Sequence, residues 1–147
     1  MTINHTACKR CGLPLHHRAG ITLCGHCLQQ APPFTHTEAP WLYDEYLAFL
    51  IHRWKFHREE RLTSLLAQLW LEHSAEASEE DLLVPVPLHW RRRWQRGYNQ
   101  AELLAREILR RQPGLARDGL AATLLRRTRA TPGQSGLHAA QRTRNLG

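Results

Sequence analysis

Hydrophobic residues recur with a helical period in two segments that follow Tyr43. Within each segment the apolar positions are spaced i, i+3, i+4 and i+7, which places them on one face of a helix. The two sets are Leu47, Leu50, Ile51 and Trp54, and then Leu62, Leu65, Leu66, Leu69 and Trp70. The pattern therefore predicts two amphipathic helices, and the charged stretch between them, KFHREER, is expected to be an exposed turn.

A short apolar run, residues 82–88 (LLVPVPL), has the length of a buried strand. Pro85 and Pro87 have no N–H for a sheet ladder, so the strand is predicted over 82–86 only. A basic loop is expected next. A third amphipathic helix then begins after Asn99 and ends before Pro113-Gly114. Residues 126–147 are basic and poor in bulky residues, which predicts a mobile loop with a short helix around 137–144.

The segments before the first helix differ in composition from the rest of the chain. Residues 1–30 contain all four cysteines but few large core residues, so apolar burial alone cannot fold them. Residues 31–40, APPFTHTEAP, are rich in Pro and Thr and lack periodicity, as linkers do. The 147 residues are thus expected to form a small module, 1–33, and most of a second domain, 41–147.

Charge is distributed unevenly. Residues 1–81 carry 7 Lys or Arg against 10 Asp or Glu, whereas residues 82–147 carry 13 against 3. Nearly all the cations are arginines, which suit bidentate recognition of phosphate or carboxylate. An anionic partner is expected for the second half. The sequence has no secretory apolar segment and no run of about 18 apolar residues, so we expect a cytoplasmic protein that does not engage a membrane.

The cysteines form a C-x2-C-x12-C-x2-C array comprising Cys8, Cys11, Cys24 and Cys27. Two such knuckles can place four thiolates tetrahedrally around one zinc ion, and a closed four-ligand site is structural rather than catalytic. The alternatives are a redox C-x-x-C pair, which usually accompanies a βαβ pattern absent here, and two disulfides, which the expected compartment disfavours. Histidine is a further alternative ligand at four positions: His5, His16, His17 and His26.

The stretch LHWRRRWQRGYNQ, residues 88–100, mixes arginines with two tryptophans and a tyrosine. Single-stranded nucleic-acid grooves use this mixture of cations and stacking surfaces. The alternative is a solvated basic loop whose tryptophans pack on the adjacent domain. Asn99 and Glu102 have the spacing of a capping box at the start of the third helix. A strand, a loop and a helix N-terminus in this order also form a general arrangement for binding an anion.

Several blocks of the chain together resemble one bacterial family. The cysteine pairs are followed in order by RWKFHRE (53–59), PVPLHWRRRWQRGYNQAELLA (85–105) and LLRRTRATPGQSGLHAAQRTRN (124–145). These blocks look like the ComF/GntX family of competence-associated, phosphoribosyltransferase-like proteins. The resemblance spans nearly the whole chain, and its central R-G-Y-N-Q block is highly specific; the family usually has R-G-F-N-Q.

The resemblance implies an α/β fold: an N-terminal zinc ribbon followed by a type I phosphoribosyltransferase-like domain around a mostly parallel sheet. It also implies a site for the pyrophosphate of phosphoribosyl pyrophosphate. The loop after the first core strand, residues 87–100, would supply one part of it. A flexible closing loop around Arg127, Thr128, Gln134 and Arg142 would supply the other. The implied binding residues are Arg93, Arg96, Gly97, Tyr98, Asn99, Gln100, Arg127 and Gln134.

The sequence departs from the family pattern after the R-x-x-N of residues 142–145. Family members continue into a strand ending in two adjacent aspartates and then a Thr/Gly-rich phosphate loop, and this sequence contains neither. Magnesium, which the resemblance implies for a complete member, would lack its carboxylates. We therefore expect a truncated chain that is inactive in phosphoribosyl transfer. The alternative function is a non-enzymatic zinc-ribbon module that binds single-stranded DNA through its basic aromatic arm.

Overall fold

The structure is a computed structural model that describes residues 6–15, 20–74 and 77–131, together with the single residues 133, 138, 141 and 144. The chain divides into two compact units, Met1–Ala77 and Ser78–Gly147. The division into domains 1–33 and 41–147 stays a prediction. Across the described ranges, no helix combines the length and apolar character needed to cross a membrane.

The first unit begins with a small turn structure around the first cysteine pair. Ala7 and Pro14 form an antiparallel bridge, and the Leu15 N–H donates to the Thr6 carbonyl at 2.7 Å. A short helix, α1 (Gly25–Gln29), follows and carries the second pair at its start. Residues 31–40 have no helix or strand, as their composition predicts.

Two helices complete the first unit, α2 (Glu45–Phe56) and α3 (Leu62–Leu71), which confirms the prediction from the apolar spacing. The Asp44 side chain caps α2 by accepting from the Leu47 N–H at 2.9 Å. Trp54 of α2 is buried and donates its indole N–H to the hydroxyl of Thr63 in α3, 2.9 Å away. Helix packing and this buried hydrogen bond therefore join the two helices.

The second unit contains α4 (Trp90–Arg96) and α5 (Gln100–Arg111). The prediction of α5 is confirmed, and Asn99 is its N-cap residue. The prediction of a loop over the basic stretch is wrong, because residues 90–96 form a helix. Its ends carry ordinary helix signals: the buried His89 side chain accepts from the Arg91 N–H, and Gly97 stops the helix at a φ of 89°.

The predicted strand 82–86 is reduced to one parallel bridge between Leu83 and Leu120. The Leu83 N–H donates to the Gly119 carbonyl at 2.7 Å, and the Leu83 carbonyl accepts from the Ala121 N–H at 3.0 Å. Pairing goes no further because Pro85 cannot donate. Over the described residues the protein is mainly helical, so the α/β class and the phosphoribosyltransferase-like sheet stay predictions. The short helix expected around 137–144 lies outside the continuously described residues.

Candidate functional site

The first candidate site is the cysteine cluster in the first unit. One potential ligand atom from each of Cys8, Cys11, Cys24 and Cys27 lies within 4.8 Å of all the others. Local backbone bonds hold the arrangement: the Cys8 N–H donates to the Leu13 carbonyl at 2.8 Å, and the Gly12 N–H donates to the Cys8 carbonyl at 2.9 Å. Gly12 takes a φ of 72°, where a Cβ would also come within 3.0 Å of Ala39.

The spacing of the sulfurs fits a tetrahedral metal ion. Zinc–sulfur bonds of about 2.3 Å place neighbouring sulfurs about 3.8 Å apart. The sulfurs of Cys11 and Cys24 are 3.7 Å apart, and none of the four cysteines forms a disulfide. Three of the four residues are buried, so the group would be shielded from solvent. The cluster fits a zinc ribbon and can hold a metal ion such as zinc.

The thiols of the cluster are electrostatically unequal. Hydrogen bonds from backbone N–H groups, that of Cys11 first, lower the pKa of Cys8 to about 6. Burial and the neighbouring thiols raise the pKa of Cys27 to about 12. Four thiolates packed this closely would repel one another, and a divalent cation offsets that repulsion.

The second candidate site is a cavity of about 460 Å³ in the second unit, beside the junction of α4 and α5. Its charged and polar lining residues, which include one acid, come from α4 and α5 with their N-caps and from the loop after residue 121. They are His89, Arg93, Asn99, Glu102, Thr123, Arg126, Arg127 and Thr128, with Trp90 as the aromatic member. Sequence segments about 30 residues apart thus contribute to one basic cavity.

Asn99 fixes the helix end that faces this cavity. Its side-chain oxygen accepts from the Ala101 N–H at 3.2 Å, and its amide donates to the Val86 carbonyl at 3.1 Å. The predicted N-cap is therefore present. Glu102 does not complete a capping box among the described contacts: its carboxylate pairs with Arg106 at 2.8 Å and lies 3.6 Å from Arg93. Glu102 thereby orients Arg93 at the cavity.

The loop after α5 is tied to α4 through Thr131. Arg92 donates to the Thr131 carbonyl at 2.6 Å, and Arg127 donates to the Thr131 hydroxyl. Two arginines from different segments thus meet at one residue. Arg127 of this loop and Arg93 of α4 also line the same cavity.

The structure separates the sequence-predicted anion-binding residues into two groups. Arg93, Asn99 and Arg127 line the cavity. Arg96, Gly97, Tyr98 and Gln100 are not among its lining residues. Gln134 and Arg142 lie outside the described residues. His89 and Thr128 also line the cavity, and both fall in the two stretches that the resemblance implies. Thr123 and Arg126 line it but are not among the residues predicted to bind.

Gln100 and Arg96 form a partly buried pair next to the cavity. The Gln100 side-chain oxygen accepts from Arg96 at 3.1 Å, and burial lowers the pKa of Arg96. Gln100 is 5% exposed, and its amide nitrogen has no hydrogen-bond partner among the described residues. Tyr98 is buried as well. Tyr98 and Gln100 are thus buried, and Arg96 is half-buried, where α4 ends and α5 begins.

The tryptophans of α4 face solvent. Trp90 is 66% exposed and Trp94 is 83% exposed. The Arg91 guanidinium lies over the Trp90 ring, 5.3 Å from its centroid. Cations and exposed aromatic faces therefore occur together on this short helix.

Comparison with known proteins gives a consistent set of relatives. The chain is 40% identical over 147 residues to DNA utilization protein YhgH of Escherichia coli, covering 96% of this chain and 62% of the relative. It is 38% identical to YhgH of Salmonella typhi over 145 residues, covering 95% and 61%. It is 33% identical to Competence protein F of Haemophilus influenzae over 147 residues, again covering 95% and 61%.

The chain thus spans about three fifths of the length of these curated relatives, 61% to 62% of each. No protein-family model and no solved structure matches it. The relatives nevertheless align with almost all of this chain, and the four-cysteine cluster of the resemblance is assembled in the structure. These similarities support the resemblance of this chain to the ComF family.

Proposed function

We propose that this chain is a zinc-bearing protein of DNA uptake or use whose second unit binds the pyrophosphate group of a phosphoribosyl pyrophosphate-like ligand. The names of its relatives, DNA utilization protein and Competence protein F, support the first part. The cavity beside α4 and α5 supports the second part. The phosphoribosyltransferase-like α/β architecture is part of the same proposal.

The observation that carries the ligand assignment is the convergence of Arg93, Asn99 and Arg127 on one cavity. Two guanidinium groups provide the charge and the bidentate donors that phosphate oxygens require. The start of α5 adds backbone N–H groups and the positive end of the helix dipole. A volume of about 460 Å³ is large enough for a diphosphate with an attached sugar.

Binding of the pyrophosphate group is the role we assign to the arginines of this cavity. These arginines can hold a pyrophosphate oxygen and offset negative charge. No residue in the cavity is assigned as a catalytic acid, base or nucleophile.

Zinc is the metal that we assign to the cysteine cluster. Four thiolate ligands and a sulfur separation of 3.7 Å suit tetrahedral zinc. All four positions are occupied by protein sulfur, so the ion would have no open position for a substrate. Its role is to fold the N-terminal segment, which has few other buried side chains.

Isothermal titration with pyrophosphate and with phosphoribosyl pyrophosphate tests the ligand assignment. We expect both to bind, and Arg93→Ala or Arg127→Ala to weaken binding about tenfold or more, as the loss of a charge-assisted contact predicts. Arg117→Ala is the matched control, since Arg117 does not line this cavity. Equal weakening by all three variants, or no binding by the folded parent, would place the ligand elsewhere.

Single-stranded DNA binding through α4 is the second candidate, favoured by the exposure of Trp90 and Trp94. Binding of a thymidine oligomer should weaken steeply between about 50 and 200 mM salt, because phosphate neutralisation releases counterions. Trp94→Ala should weaken it about tenfold, within the range measured for loss of one base stack. Tyr46→Ala is the control, because Tyr46 is an exposed aromatic residue, 62% exposed, in the other unit. Salt-independent binding or equal loss in both variants would exclude this candidate.

A further inference from the structure

A second basic groove lies in the second unit, away from the α4–α5 junction. It has a volume of about 760 Å³ and is formed by the last turns of α5 and the segment that follows, residues 112–120. Leu109, Leu115 and Leu120 supply its apolar surface. Leu115 is buried, whereas the other two leucines are half-buried and in contact with the open space.

Four arginines line the same groove as these leucines. Arg106, Arg110 and Arg111 come from α5, and Arg117 comes from the following segment. No acidic residue is among the nine residues that line the groove. The local charge of the groove is therefore positive. Its three leucines form the apolar surface, which we call the leucine floor.

Internal ion pairs leave this charge incompletely offset. Arg110 and Arg111 both pair with the carboxylate of Glu107, each at 2.7 Å. Arg106 pairs with Glu102 at 2.8 Å, and Glu102 is also 3.6 Å from Arg93. Each of these two carboxylates thus forms ion pairs with two guanidinium groups. Arg117 is exposed and has no ion-pair partner among the described residues, so the groove keeps an excess of cations.

The lining chemistry distinguishes between anionic partners. Single-stranded nucleic acid requires aromatic faces for base stacking, and none of the residues lining this groove is aromatic. A leucine floor instead accepts an aliphatic or aromatic side chain, and guanidinium groups bind carboxylates in a bidentate geometry. An acidic peptide that carries a large apolar side chain satisfies both features at once.

We propose that this groove is a docking site for a short acidic segment of a partner protein, in which Asp or Glu residues flank one or two large apolar side chains. The apolar side chain lies on the leucine floor, and a carboxylate pairs with Arg117. Arg110 contributes less, because its guanidinium already donates two hydrogen bonds to Glu107. Charge complementarity sets the class of partner, and the apolar contact supplies most of the affinity. This site is separate from the pyrophosphate cavity, so either proposal can fail alone.

Selection of a random dodecapeptide phage library on the full chain tests this proposal. We expect enriched peptides to combine acidic residues with Leu, Ile, Phe or Trp. A synthetic copy of the most enriched peptide, labelled with fluorescein, then gives the affinity by anisotropy. Arg117→Glu should weaken it about tenfold or more, because a rim cation becomes a repelling anion. Arg110→Gln should weaken it by a smaller factor.

Arg61→Glu is the matched control, since it makes the same charge change on an exposed side chain of the first unit. It should leave the affinity within about twofold of the parent. Arg117 has no hydrogen bond or ion pair within the described part of the chain, so its variant should keep the parent circular dichroism spectrum. Pyrophosphate and a thymidine oligomer should not displace the peptide.

Three outcomes would overturn the proposal. The first is a library with no enrichment, or with enriched peptides that lack acidic residues. The second is equal affinity of the folded Arg117→Glu variant and the parent. The third is displacement by the thymidine oligomer, which would identify the groove as part of a nucleic-acid surface.

Discussion

The side-chain amide of Asn99 donates to the backbone carbonyl of Val86, 3.1 Å away, while its oxygen caps α5 at the Ala101 N–H. One side chain therefore starts the helix and attaches that start to the segment before α4. Asn99 is only 8% exposed, so water does not readily replace either bond. Only a side chain with both a donor and an acceptor can make both contacts.

Replacement of Asn99 by Asp separates these two roles. Asn99→Asp keeps the helix-capping oxygen but places a carboxylate against the Val86 carbonyl. We expect it to lower the free energy of unfolding by about 1–3 kcal/mol, the cost of a broken and unsatisfied buried contact. Urea unfolding measures this change. Asp44→Asn, the same exchange reversed at the cap of α2, should change it by less than about 0.5 kcal/mol; similar losses in both variants would contradict the role given to Val86.

The cysteine cluster predicts that metal content and local folding are lost together. Cys8→Ser or Cys24→Ser should remove stoichiometric zinc and unfold residues 6–30, because this segment has little other core. Metal analysis and amide hydrogen exchange measure the two effects, and α2 and α3 should keep their protection. His26→Ala is the control, since His26 is exposed between two cysteines and outside the cluster. Full zinc retention by either serine variant would refute the assignment.

The contact between α2 and α3 predicts a specific cost for removal of one hydroxyl. Thr63→Val keeps the shape of the side chain but leaves the buried Trp54 indole N–H without its acceptor. We expect the free energy of unfolding to fall by about 1–3 kcal/mol. In a double-mutant cycle with Trp54→Phe, the two losses should be less than additive. Additive losses would show that the hydrogen bond does not couple the residues.

The turn after α2 contains a backbone conformation that favours glycine. Arg58 has a φ of 57°, the only positive φ among the described non-glycine residues. Arg58→Gly should raise the free energy of unfolding by about 1 kcal/mol, because glycine occupies the left-handed region without steric cost. Lys55→Gly, inside α2, should lower it by about 1 kcal/mol, since glycine is a poor helix former. A destabilised Arg58→Gly variant would mean that the arginine side chain stabilises this turn.

The ion pairs of α5 predict a small dependence of stability on acidic pH. Hydrogen bonds from Arg110 and then Arg111 lower the pKa of Glu107 from 4.5 to about 2. A lowered pKa means that the pair stabilises the folded state above about pH 4.5 and that this contribution disappears as the pH falls toward 2.

Solvent screening limits the size of this contribution to about 0.5 kcal/mol. Urea unfolding between those pH values should therefore show a shallower pH dependence for Glu107→Gln than for the parent. Glu79→Gln is the control, because Glu79 is exposed and has no ion pair in the described ranges. Identical pH profiles for the parent and Glu107→Gln would rule out the contribution.

The helices were predictable where local pattern and local capping agree. Apolar spacing predicts α2 and α3, and the Asn99 cap with Pro113-Gly114 predicts both ends of α5. The same reasoning failed for α4, because its four arginines, two tryptophans and one glutamine bury none of their side chains and so carry no apolar period. His89 and Gly97 mark the ends of α4, but composition alone suggested a loop.

The sequence by itself determined the elements whose physics is local: the helices with an apolar stripe, the capped ends, and the four cysteines at metal-binding intervals. Only the tertiary structure decided which arginines share a cavity. Arg93 and Arg127 meet there, whereas Arg96, equally basic in the sequence, turns to Gln100. The spacing of arginines along the sequence does not indicate where each side chain points. The neighbours of a guanidinium therefore depend on how segments distant in the sequence pack together.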